Sequence, residues 1–299
     1  MNLNQDAMLV RLRIQAWSGR LYDRQASHHV AVHHDASTSA GRYNKCLLPK
    51  AAFAALTAAM SRARTLHYAN TLPWDDAGSR LLTVDNYEHY TELLDAMAER
   101  VVRERTRFIQ DYDENVEQAR SDLGKLFCIG DYPAREDLRD RFTLHYRILP
   151  VPDADHFMAK LATDETDRVK RDLERQVREQ LNGAVGDLYR HLGEAVEHVC
   201  ERLKEDEHGK PRVFRDSLIG NLRDLVEVVP RLNLFGDDDL ARLCGQVKER
   251  TANVDPDTLR PSRTFDPEVR RQVKRDAKAL KEQFAGYFAP PADTAREAA

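Results

Sequence analysis

A chain of 299 residues, 41% hydrophobic and 32% charged with a formal net charge of −4, is long enough to bury a substantial core. It is too charged for a sandwich or a wide sheet, and points instead to long solvated helices. No run reaches the roughly 18 apolar residues that a bilayer span needs, and Cys46, Cys128, Cys200 and Cys244 fall in no CxxC or Cys/His spacing, which argues against a zinc site or a disulfide framework.

Met1 to Val10 lacks a charged-then-apolar leader, so the expectation is a reduced, cytoplasmic protein with no membrane segment. The net charge is unevenly spread. Met1 to Asn70 holds nine Lys/Arg against three Asp/Glu, a charge of +6, which leaves −10 for the remainder.

In chain order, Val10, Leu12, Ile14 and Ala16 alternate with Arg11, Arg13, Gln15 and Trp17, the period of two of a half-buried strand. Ser18 and Gly19 supply a turn. His29 to His34 reads as a second short strand with Val30 and Val32 inward, followed by a polar loop over Asp35 to Gly41. Pro49 suits a helix start, and Phe53, Leu56, Met60 and Ala63 mark the buried face of a helix reaching about Leu66. A loop from Tyr68 to Gly78 follows, and Thr83 or Asp85 is placed to cap the next helix.

That helix is a rod of about 35 residues, with one apolar stripe through Tyr90, Leu94, Met97, Val101, Phe108, Tyr112, Val116, Ala119 and Leu123. A short helix over Glu136 to Asp140 leads to a second alternating strand, Phe142 to Val151, expected to pair with the first. A long helical pattern then runs from Thr163 to about His208, interrupted by Gly183, Gly186 and Gly193, which read as close-packing or bend points facing the Tyr90 to Leu123 rod. Gly209 and Pro211 are expected to stop it. Helices over Phe214 to Leu232, Asp237 to Arg250 and Pro267 to Tyr287 complete the pattern. The fold class is α+β, predominantly α: a small antiparallel sheet packed on long antiparallel helices, with a C-terminal helical region. The division expected is 1–160, 161–288 and a disordered tail at 289–299.

The chain carries no GxxxxGK[ST], no GxSxG and no catalytic cysteine frame. No catalytic residue, metal or cofactor is therefore assigned, and an enzyme is the less favoured class. His28, His29, His33 and His34 are the most metal-like cluster, yet on a strand they split between two faces and suit an exposed polar segment better. Asp75 and Asp76, beside Trp74, could form a carboxylate pair, but neighbouring loop carboxylates more often serve as turn acceptors. The loop residues His67, Tyr68, Trp74, Asp75 and Asp76 are best read as an interaction or structural joint anchored by Trp74. Arg11, Arg13, Trp17, Arg20, Arg24, Arg42, Tyr43 and Lys45 form the candidate nucleic-acid surface. Cations would track phosphates and rings would stack on bases, and the competing reading is a solvated face paired with the acidic helices.

Leu47, Leu48, Pro49 and Lys50, with His67, Tyr68, Thr71, Leu72, Pro73, Trp74, Gly78, Arg80, Leu81 and Leu82, resemble a domain family of unknown function. Leu123, Gly124, Leu126, Phe127, Asp131, Tyr132, Pro133, Arg141, Phe142, Pro150, Val151 and Pro152 extend the resemblance over about residues 5 to 240; Thr83 and Val84 depart from it where the family has a proline. The family is carried by phages and mobile elements, with members encoded near MoxR-type AAA+ ATPases and von Willebrand A-domain proteins, or near recombination genes. Two rods too long for one core, together with the resemblance, lead to the expectation of a non-enzymatic accessory protein in a bacterial host cell whose long helices dock a partner such as an AAA+ ATPase assembly or a von Willebrand A-domain protein, with self-association left open. The alternative is a single-stranded DNA-binding protein of recombination or replication.

Overall fold

The structure, a computed structural model, describes residues 6–75, 77–151, 163–205, 207, 212, 214–260 and 262–288. It is predominantly helical with a small antiparallel sheet, and its contacts group the chain into two compact units. The first takes the described residues up to Val10, Ala69–Glu88 and those from Ile148 onward; the second takes Arg11–Tyr68 and His89–Arg147.

The four-stranded sheet has the order β4 (Leu72–Pro73), β5 (Arg80–Thr83), β1 (Ala7–Gln15), β6 (Thr143–Pro150). The two alternating segments thus lie side by side as their pattern predicts. Register is set on one side of β1 by Ala7 opposite Thr83 and Val10 opposite Arg80. Beyond Val10 the arginines of β1 are exposed while Leu12 and Ile14 are half-buried. A two-stranded sheet pairs β2 (Arg20–Tyr22) with β3 (Asn44–Cys46), Leu21 opposite Lys45. All four cysteines are free thiols.

In the second unit, α2 (Lys50–Ala69) starts one residue after Pro49 and buries Leu56, Ala59, Met60, Ala63 and His67. It runs through Tyr68, so the loop expected from that residue begins only after Ala69. The rod is present as two helices, α3 (Tyr87–Gln110) and α4 (Tyr112–Leu123), with the chain turning at Asp111. Its stripe is buried at Val101, Phe108, Tyr112, Val116 and Ala119, which close a core with Leu48, Leu138, Phe142 and Leu144. Gly124 ends α4 at φ 50°, a conformation that favours glycine. A short helix, α5 (Leu138–Arg141), precedes β6.

The first unit is built on α6 (Thr163–Arg202), α7 (Asp216–Leu232), α8 (Asp238–Val247) and α10 (Pro267–Phe288), with a single-turn α9 (Pro256–Leu259) that the periodicity does not announce. The stripe of α6, Leu181, Ala184, Leu188, Leu192, Val196 and Val199, is covered by α10 and α7. The rod expected as its main partner is replaced in that role by these two helices. Arg202, rather than His208, is the last residue of α6; Gly209 and Pro211 lie outside the described residues, as does the tail at 289–299. Asp237 caps α8 by accepting from the Asp239 and Leu240 N–H groups. Thr83 makes no side-chain cap; its hydroxyl donates to the Arg231 carbonyl at 2.7 Å.

Of the three α6 glycines, Gly193 alone is a close-packing point: a Cβ there would sit 3.4 Å from Phe284 Cβ and Cγ. Gly183 and Gly186 face open space. Substituting each by Ala is expected to stabilise by up to about 1 kcal/mol, because a helix-interior glycine pays extra backbone entropy with nothing to gain there. Urea denaturation of Gly183→Ala and Gly186→Ala checks this; a loss of stability would show that these glycines hold a contact or bend.

Among the described residues, no helix is long and apolar enough to cross a membrane.

Candidate functional site

The strand expected over His29 to His34 is instead part of a helix, α1 (Arg24–His33). Asp23 starts it by accepting from the Ala26 N–H at 2.9 Å. Ser27 then locks it, donating to the Asp23 carbonyl at 2.6 Å and accepting from the Tyr43 N–H at 2.9 Å. Ser27 and Ala31, one turn apart, are its buried face, and Val30 and Val32 are 51% and 62% exposed. Two β-branched residues on alternate positions imitate a strand, but the cap and the helical spacing of Ser27 and Ala31 decide the outcome. His28, His29, His33 and His34 are all exposed. Among the described residues, no group of three or more His, Cys, Asp or Glu is arranged to hold a metal ion.

Lys45, named for the candidate nucleic-acid surface, is on β3 and only 6% exposed. Its ammonium lies 2.5 Å from Asp131 Oδ2 and 3.3 Å from Asp23 Oδ2, and donates to the Leu126 carbonyl at 3.1 Å. Burial alone pulls the Lys45 pKa down; hydrogen bonds to Asp131 and Asp23 more than offset this and hold it above the ordinary value. The Ala26 N–H, with help from Lys45, holds the Asp23 carboxyl below its ordinary range despite partial desolvation. The lysine therefore ties β3, the cap of α1 and the Ile129–Asp131 turn together, and its charge is already matched within the second unit.

Trp17 is half-buried in the same unit, edge-on to Phe53 and Tyr112 at centroid distances of 5.7 and 6.4 Å. The close approach has a backbone cause: Gly19, at φ 60°, leaves no room for a Cβ against Phe53, whose Cζ would be 2.4 Å away. The ring and the lysine of the candidate single-strand groove therefore each make contacts within the second unit. Arg11, Arg13, Arg20, Arg24 and Arg42 are exposed. Arg42 stands 5.8 Å from the Tyr22 ring centroid, within the range of a cation–π contact.

Arg42 and Tyr43 come together with α1 around a cleft of about 310 Å³. Val30, Ala31, Ala36 and Ala40 supply apolar lining, and His34, Arg42 and Tyr43 add polar groups. Ring and cation thus meet beside aliphatic surface that the strand reading turns inward.

The loop residues His67, Tyr68, Trp74 and Asp75 are divided between the two units. His67 is buried in the second unit, its Nδ1 sharing a 2.9 Å hydrogen bond with the Tyr90 hydroxyl. Tyr68 is 53% exposed. Trp74 is half-buried against the core of the first unit. Asp75 is a turn acceptor, taking the Ser79 N–H at 2.8 Å; Asp76 lies outside the described residues. The residues that sequence reasoning missed are Asp23, Asp131 and Val30. Asp23 carried a legible signal, an N-cap residue three positions before Ala26; Asp131 stands out only as part of the family resemblance, and nothing local links it to Lys45.

Comparison of the chain with protein-family models, curated proteins and solved structures gives no match.

Proposed function

We propose that the protein is a non-enzymatic phage or mobile-element accessory protein that works by protein–protein contact, through the surface formed by α1 and the Arg42–Tyr43 segment. One observation carries this reading: Trp17 and Lys45 are committed inside the second unit, while the apolar cleft beside Arg42 is open. Stacking platforms and phosphate tracks need rings and cations that face solvent. Protein interfaces combine apolar surface with aromatic residues and arginine, the combination at Val30, Tyr43 and Arg42. The sequence resemblance makes an AAA+ ATPase assembly the first partner to test.

Titrating the chain with a labelled single-stranded oligonucleotide at two salt concentrations separates this reading from its rival. No steeply salt-dependent binding is expected. Binding that weakens with a log–log slope of about −0.7 per phosphate contact, supported by the exposed Arg11, Arg13, Arg20 and Arg24, would replace it with the nucleic-acid reading.

A further inference from the structure

The α1 cleft has a chemistry that narrows its occupant. At about 310 Å³ it lies at the small end of ligand sites, which span roughly 300–1,000 Å³, so it takes one or two side chains. Val30, Ala31, Ala36 and Ala40 offer aliphatic contact over much of its lining, which a sugar or a bare phosphate would leave unmatched, while Ser37, His34 and Arg42 supply the polar groups. Among the described residues Arg42 forms no ion pair; its contact there is with the Tyr22 ring. The nearby carboxylates are otherwise placed: Asp23 is held by Lys45 and the Ala26 N–H, and Asp35 is not among the lining residues. A guanidinium beside an aliphatic pocket, with no carboxylate of its own, is complementary to a carboxylate next to an aliphatic side chain.

Resting on the protein-contact reading above, we infer that this cleft receives an acidic segment of the partner protein, an aliphatic side chain seated against Val30 and Ala31 and a neighbouring carboxylate on Arg42. Tyr43, 39% exposed, flanks the segment. His34 offers a further donor.

Fluorescence anisotropy with the full chain tests this. The probe is a fluorescein-labelled peptide of alternating leucine and glutamate, compared with its leucine/glutamine counterpart. The glutamate peptide is expected to bind, and the glutamine peptide to bind about tenfold more weakly, as is the glutamate peptide to Arg42→Gln, since a charge-assisted hydrogen bond is lost in each case. Arg100→Gln, exposed on α3 and outside the cleft, is expected to leave binding unchanged. Val30→Asp is expected to remove binding; because Val30 is 51% exposed, circular dichroism should show the fold retained, and if it does not, Arg42→Gln decides. Equal affinity for both peptides, equal losses for Arg42→Gln and Arg100→Gln, or no binding at all would overturn the inference. Such a failure without oligonucleotide binding leaves protein contact standing and removes only the acidic segment. Steep salt-dependent oligonucleotide binding removes the broader reading whatever the peptides do.

Discussion

Lys45→Met is expected to destabilise the second unit by about 3 kcal/mol, the scale for removing one partner from a buried ion cluster. The substitution leaves Asp23 and Asp131, 14% and 20% exposed, with no counter-charge between them. It also removes the donor to the Leu126 carbonyl. Trp17 belongs to this unit and Trp74 to the other, so Trp17 fluorescence in a Trp74→Phe background reads the loss in urea. Adding Asp131→Asn should recover part of it, because the remaining carboxylate then faces no like charge; a double variant as unstable as the sum of the two single variants would show that the charges do not interact.

The pH dependence follows from the directions of the shifts. Lys45 is raised above its ordinary 10.5, so its contribution is complete below that pH and is lost as pH climbs through the folded value. Asp23 is held below its ordinary 3.8, so its contribution is present above that pH and is lost as pH falls through the folded value. In Lys45→Met the alkaline loss due to Lys45 should vanish.

Arg270→Ala is the second large expected effect, about 3 kcal/mol, this time in the first unit and read through Trp74 in a Trp17→Phe background. Arg270 is 6% exposed, and its guanidinium donates to the Leu259 carbonyl at the end of α9 and to the Arg202 carbonyl at the end of α6. Last-turn carbonyls have no partner within their helix and carry the negative end of the dipole. Truncation leaves the buried Leu259 carbonyl beside a vacated side-chain volume and takes the donor from the part-buried Arg202 carbonyl. Burial holds the Arg270 pKa below the ordinary arginine value, with Glu205 opposing, yet the group stays charged at neutral pH. Arg270→Lys should restore little, since one ammonium lacks the fork that spans two helix ends. Full rescue by Lys would show that charge alone suffices.

The parts of the fold that were legible are those written in a period. Alternation over Val10 to Ala16 and Phe142 to Ile148 places β1 and β6 as neighbours, and the stripe from Tyr90 to Leu123 gives α3 and α4. What stayed hidden depends on contacts far apart in sequence. Lys45 meets a carbonyl 81 residues on, and Thr83 donates to one 148 residues on, where local reasoning assigns it a cap. The α1 helix was obscured for a local reason, since Val30 and Val32 flank the buried Ala31 and imitate a strand. A contiguous cut near residue 160 is what composition and periodicity suggest, whereas the contacts group segments that interleave along the chain. Of the candidate site, Arg42 and Tyr43 were named for their chemistry, and Val30 became visible only once α1 turned it outward.

The most direct test of protein contact through the α1 surface is affinity purification of the tagged chain from cells that co-express the proteins encoded beside it, run in parallel with Val30→Asp. The expected result is stoichiometric co-elution of a neighbour-encoded protein, an AAA+ ATPase on the reading proposed above, with the natural sequence and its loss from the folded Val30→Asp variant. Failure of every neighbour to co-elute, or equal recovery with both proteins, would contradict it.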